Sequence, residues 1–179
     1  PLVEDVLVAG LEPAAGSTSR PASFAPRVLY HFKADADASA IVEFCFPDLS
    51  DVAVSESFTF TLTQQDSTRI FGFCRRLVRP SQPPICLCVL TQRPWFSLFS
   101  HMHDILQLNY DLGRFVPEFV RAAYEAPLPG AGGGSILVPS AHLGTTFRLM
   151  PPEDDRPTGV HFDGLLSALG VGGVLRVLA

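Results

Sequence analysis

Ser57–Leu77, SFTFTLTQQDSTRIFGFCRRL, is the stretch from which the fold of this chain is read. Ser57, Thr59, Thr61 and Thr63 alternate with Phe58, Phe60 and Leu62, and a strict period of two with one apolar face describes a strand packed on one side. Gln64, Gln65, Asp66 and Ser67 then break the alternation with turn-favouring residues, and Asp66 or Ser67 can hydrogen-bond its own backbone. Alternation resumes over Arg69–Arg75 with Phe71 and Phe73 on one face. Two such runs separated by a short polar segment form an antiparallel hairpin. Gly72 has no side chain of its own to pack, so another group is expected close over its face.

Outward from the hairpin, Ile85–Leu90 (ICLCVL) is apolar at every position, which requires burial on both faces and a central place in the sheet. Upstream, Leu2–Leu11 and Arg27–Phe32 read as strands, and the segment between them, rich in Ala, Ser, Gly and Pro, reads as a loop. Ala34–Ala40 reads as a turn. Ile41–Phe46 reads as an extended segment whose Phe44 and Phe46 plug the sheet, because Pro47 pushes its predecessor away from helix. Val78–Pro84 (VRPSQPP) reads as a proline-rich loop. Downstream, Pro94 and Trp95 open a helix to about Tyr110, with Leu98, Phe99, Met102, Ile105 and Leu106 as its apolar stripe. Phe71 and Phe73 are expected to be buried against that stripe. A second helix spans Val116–Glu125, with Pro117 suited to its first turn.

Pro127–Ser135 (PLPGAGGGS) has the composition of a flexible linker. Ile136–Val138 and Thr145–Leu149 read as short strands, and Phe162–Gly170 as a short helix. The stripe of that helix (Phe162, Leu165, Leu166 and Leu169) needs a partner from elsewhere. The tail from Ile136 is therefore expected to dock loosely.

Three blocks together, EFCFPD (Glu43–Asp48), FTFTLTQQDSTRIFGFCRRL and ICLCVLTQRPWFSLF (Ile85–Phe99), resemble the upstream half of the DENN domain in their order and spacing. The resemblance covers roughly residues 1–110 and resumes more weakly at 162–179. It implies an α+β fold: a longin-like module with a central, mostly antiparallel sheet of about five strands and two covering helices, followed by a partial second lobe. The implied domains are an upstream DENN (longin-like) lobe at 1–126, a linker at 127–135 and the truncated start of a central DENN lobe at 136–179. Members of this family are guanine-nucleotide exchange factors for Rab-type small GTPases. The resemblance thus implies part of such a factor in membrane trafficking, with a Rab-family GTPase as partner and peripheral contact with a membrane surface. It implies no cofactor, no metal and no covalent chemistry, and a fragment that is inactive alone. The alternative is a non-catalytic longin-like interaction or scaffold module in a trafficking complex.

Composition agrees with a folded, non-nucleic-acid-binding protein. Of 179 residues, 47% are hydrophobic and 17% charged, enough to build a core. The net charge of −5 opposes a nucleic-acid surface, which is normally basic. No apolar run reaches membrane-helix length. The chain opens on Pro1 without a signal-like apolar region, and it is read as a cytoplasmic fragment.

Candidate chemical groups each have a plain reading. Gly130–Ser135 lacks the Gly-Lys-Ser/Thr and the strand-to-helix context of a phosphate loop, and no serine sits in a nucleophile elbow. Glu153–Asp155 reads as a solvated loop. His101 and His103, two apart on a helix, point in nearly opposite directions and make a poor ligand pair. Cys45, Cys74, Cys86 and Cys88 lie among apolar neighbours and read as buried free thiols. Arg75, Arg76 and Arg79 form the one dense basic cluster. They read either as charge that keeps a hairpin edge soluble or as a contact for an acidic partner surface or lipid headgroup.

Overall fold

The computed structural model describes residues 1–13, 24–35, 37–47, 54–113, 117–129, 134–140 and 143–152. In chain order the elements are β1 (Asp5–Pro13), β2 (Phe24–His31), α1 (Ser39–Cys45), β3 (Glu56–Thr63), β4 (Arg69–Arg79), β5 (Gln82–Thr91), α2 (Phe96–Asp111), α3 (Pro117–Glu125), β6 (Ile136–Ser140) and β7 (Thr145–Leu149). The first five strands form one sheet in the order β2-β1-β5-β4-β3, antiparallel at every step. The fold is α+β and consistent with a longin-like module. The expected helix at 162–170, the acidic run at 153–155 and most of the upstream loop lie outside the described residues.

β5 occupies the centre because it has no polar face. Ile85, Leu87 and Val89 face one cluster with Phe99, Met102, Phe119 and Val120 of α2 and α3. Cys86, Cys88 and Leu90 face a second cluster with Val42 and Cys45 of α1. β3, by contrast, is an edge strand, and its alternation of exposed Ser and Thr with half-buried Phe58, Phe60 and Leu62 follows from having one covered face. The β3–β4 turn closes with Gln64 N–H donating to Thr68 O (2.8 Å) and Ser67 N–H to Gln64 O (3.0 Å). Asp66 Oδ1 accepts from Thr68 N–H at 2.9 Å. Gly72 stands opposite Phe60 in the β3–β4 ladder, and that ring covers the space where a side chain would be.

Four readings of the sequence are corrected. Ser39–Cys45 is a helix, α1, and it covers the second face of the sheet. Pro47 restricts only its predecessor, Phe46, which is the C-terminal cap with φ −136°; the helix ends just before it. The segment 78–84 is not a loop: β4 and β5 are joined across Pro80 and Ser81, the latter at φ 61°. Pro83 and Pro84 are tolerated because β1 pairs with β5 only from Ile85 onward and the β4 ladder shifts register beside them. Phe73 is buried, stacked on Phe99 at 4.7 Å and edge-on to Phe96 at 5.2 Å. Phe71 is only half-buried, since it pairs with Thr91 at the end of β5, before α2 begins. Finally, the β6–β7 hairpin is not loosely docked. Ile136, Val138 and Leu149 are fully buried in the cluster that holds α2 and α3, and Phe147 meets Phe119 edge-on at 5.8 Å.

Candidate partner-binding site

Alternation along β4 sends its side chains to two different faces. Phe73 and Leu77 join the α2 side, while Ile70 and Cys74 join the α1 side. The three arginines divide accordingly. Arg75 lies against α2, donating to Asp104 Oδ1 (2.5 Å), Ser100 O (3.2 Å) and Ser57 Oγ (3.3 Å). Arg79, past the register shift, reaches Asp111 near the end of α2 and lies over the Tyr110 ring at 4.9 Å. Arg76 goes the other way. It is buried, paired with Glu56, with its guanidinium 5.4 Å from the Phe58 ring and 5.9 Å from that of Phe46.

The cluster seen in sequence is therefore two separate placements. Each guanidinium already meets a carboxylate, so little net positive field remains for an anion. Arg79 has the greatest solvent access of the three, with 27% of its side chain exposed. It borders an open groove of about 500 Å³ lined by Gln82, Tyr110, Asp111 and Gly113. A narrower cleft of about 200 Å³ runs between β3–β4 and α2, with Ser57, Thr59, Arg75, Phe96 and Ser100 among its walls.

The surface feature that sequence reading assigned to the core is aromatic. Phe44, on α1, is 43% exposed and stacks on Phe60 of β3 at 5.0 Å with an interplanar angle of 25°. Inward positions Ala38, Val42, Cys45 and Phe46 hold the helix on the sheet, and this leaves Phe44 on the outer side. Together with half-buried Phe58 and Leu62, the stack gives the α1–β3 margin an apolar, solvent-accessible ridge.

His101 is exposed and His103 is buried, so the H-x-H pair is split. The His103 ring nitrogens face two carbonyl oxygens, Phe99 O (2.8 Å) and Leu87 O (3.2 Å). Burial pushes its pKa below the ordinary histidine value, against the opposing pull of the Phe99 carbonyl. The four cysteines are buried and unpaired. Among the described residues no helix is long and apolar enough to cross a membrane.

Residues 26–77, from β2 to near the end of β4, match the uDENN domain family. The chain is 32% identical over 184 residues to DENN domain-containing protein 2C of Mus musculus, an alignment covering 89% of this chain and 20% of that protein. It is 35% identical over 159 residues to DENN domain-containing protein 2A of Homo sapiens, covering 82% and 16%. With DENN domain-containing protein 1B of Homo sapiens the identity is 36% over 116 residues, covering 59% and 15%. The chain thus spans a fifth or less of the length of these relatives.

Proposed function

The chain belongs to the DENN domain family, and from that premise we propose that it is part of a guanine-nucleotide exchange factor for a Rab-type small GTPase. The observation that carries the reading is the coincidence of the uDENN match with β2, α1, β3 and β4 in a five-stranded antiparallel sheet of the kind the resemblance implies. Exchange requires no nucleophile and no acid–base pair. A factor that binds the nucleotide-free GTPase more tightly than the loaded form shifts its population toward release. Linkage makes the effect reciprocal: the factor weakens the nucleotide by the ratio in which the nucleotide weakens the factor. The protein's contribution is a shaped surface.

In this reading residues 1–126 form the upstream lobe, 127–135 the linker and 136–179 the start of the central lobe. The first part of that last segment, β6 and β7, packs back on the upstream lobe, with Ile136, Val138 and Leu149 buried in the cluster that holds α3. The GTPase lies across both lobes, so residues 1–179 are inactive alone. The ridge of Phe44 and Phe60 is the upstream lobe's contribution to the contact, and it lies within the matched segment. Of the three arginines only Arg79, the most exposed, is placed to meet an acidic partner or a membrane headgroup, by exchanging its pair with Asp111; Arg75 and Arg76 stay held by Asp104 and Glu56.

GDP release from a panel of Rab proteins tests this, comparing residues 1–179 with the chain extended through the downstream length its relatives possess. Release is expected from the extended chain with at least one Rab, and not from 1–179. No release across the panel, with intact binding to a trafficking partner, would favour the scaffold reading.

A further inference from the structure

We propose that Cys45, Cys74 and Cys88, with Cys86 beside them, form a thiolate site for a soft metal ion of the Zn²⁺ class that clamps α1 to the sheet. The four residues come from three elements, α1, β4 and β5. Cys74 and Cys88 stand directly opposite each other in the β4–β5 ladder, and Cys86 lies two residues from Cys88 on the same face. Cys45 descends onto them from the last position of α1.

The sulfur atoms of Cys45, Cys74 and Cys88 all lie within 4.8 Å of one another and are buried. An ion at the centre of even a 4.8 Å triangle would be about 2.8 Å from each sulfur, against a Zn–S bond of about 2.3 Å. A shift of roughly half an ångström per sulfur therefore closes the shell. Cys86 lies outside that group of three but on the same face, two residues from Cys88, and it would supply the fourth ligand that a structural zinc site requires by turning its sulfur toward the group.

One buried N–H donor stands on the same face as the thiols. Arg76, opposite Cys86 in the same ladder, is the buried arginine among the described residues, and its Nε–H has no hydrogen-bond partner. N–H donors around ligating sulfurs stabilise thiolate sites and tune them. Because ligating thiols must lose their protons, binding releases those protons to solvent and uptake strengthens as pH rises. A clamp has a mechanical use here. α1 is a seven-residue helix without a side-chain N-cap, too short to be stable by itself.

The test begins with the wild-type chain, stripped of metal under reductant and titrated with Co²⁺ and then Zn²⁺. The expected result is one equivalent of Co²⁺ with sulfur-to-cobalt charge-transfer absorption, displaced by one equivalent of Zn²⁺. Zn²⁺ should also raise the melting temperature and shield three or four thiols from a thiol reagent, effects that a chelator reverses. Cys45→Ser should abolish the charge-transfer band and Cys86→Ser should weaken it. Because a core cysteine variant can fail to fold, the wild-type titration decides the matter independently. No charge-transfer band and unchanged thiol reactivity would overturn the proposal. So would a Cys74–Cys88 disulfide without metal uptake, or a full band in folded Cys45→Ser.

Discussion

Gly72→Ala puts a methyl group where the Phe60 ring now lies. An ideal Cβ at Gly72 falls 2.1 Å from Phe60 Cζ and 2.4–2.5 Å from its two Cε atoms, so the ring must swing away. Gly72 is not among the glycines with positive φ, and the backbone itself accepts alanine. The cost is what the ring leaves behind. Losing the stack on Phe44 forfeits about 0.5–1.5 kcal/mol. Uncovering a half-buried phenylalanine adds about 1 kcal/mol, roughly half the value of full burial. Against this, replacing glycine by alanine restricts the unfolded chain and returns about 0.5–1 kcal/mol. The net expectation is destabilisation by about 1 kcal/mol, set by these opposing terms. In a Phe60→Ala background the obstruction is gone, and the same substitution should stabilise by about 0.5–1 kcal/mol. Urea unfolding of the four proteins, followed by circular dichroism, measures this cycle. An equal effect of Gly72→Ala in both backgrounds would refute the claim that Phe60 covers the glycine.

Phe73→Ala should cost about 3–5 kcal/mol, as for a buried aromatic, and half-buried Phe71→Ala distinctly less. Thermal melts compare them, and equal losses would contradict the burial difference described here. His103 is held below its unfolded pKa of about 6.5. Its contribution is therefore fully present above that pH and lost as pH falls toward the folded value, because the unfolded chain takes up the proton first. His103→Gln should flatten the stability profile below about pH 6.5; urea midpoints from pH 8 to pH 5 would show an unchanged slope if the burial account fails. Amide hydrogen exchange should be slow across Ile85–Leu90 and also slow at Ile136 and Val138. Rapid exchange in β6 would restore the picture of a loosely docked tail.

The sheet was legible where the pattern was local and complete. An uninterrupted ICLCVL run has no polar face, and only the centre of a sheet buries both sides. The Ser/Thr–Phe alternation likewise reports one covered face, which is what edge strand β3 has. α1 escaped because Pro47 dominated the reading of Ile41–Phe46, although Ala38, Val42, Cys45 and Phe46 have helical spacing and are the positions that pack inward. The β4–β5 turn escaped because Pro83 and Pro84 signal a loop unless the partner strands are known to be absent or shifted beside them. The candidate site was less legible for a different reason. Adjacent arginines in a strand face opposite ways, so Arg75 and Arg76 could not form a single patch. Cys45 meets Cys74 and Cys88 only through tertiary packing, which spacing along the chain does not encode. Phe44 resembles its core neighbours in composition and differs from them solely in its position on the helix.

The central claim is differential binding of two states of a GTPase, and affinity measures it more directly than rate. The extended chain is titrated with one Rab protein in nucleotide-free and in GDP-loaded form under the same conditions. An exchange factor should prefer the nucleotide-free form by at least tenfold, about 1.4 kcal/mol, and Phe44→Ser should weaken that form. Equal affinity for the two forms would contradict the account, since a ligand that binds both states alike shifts neither.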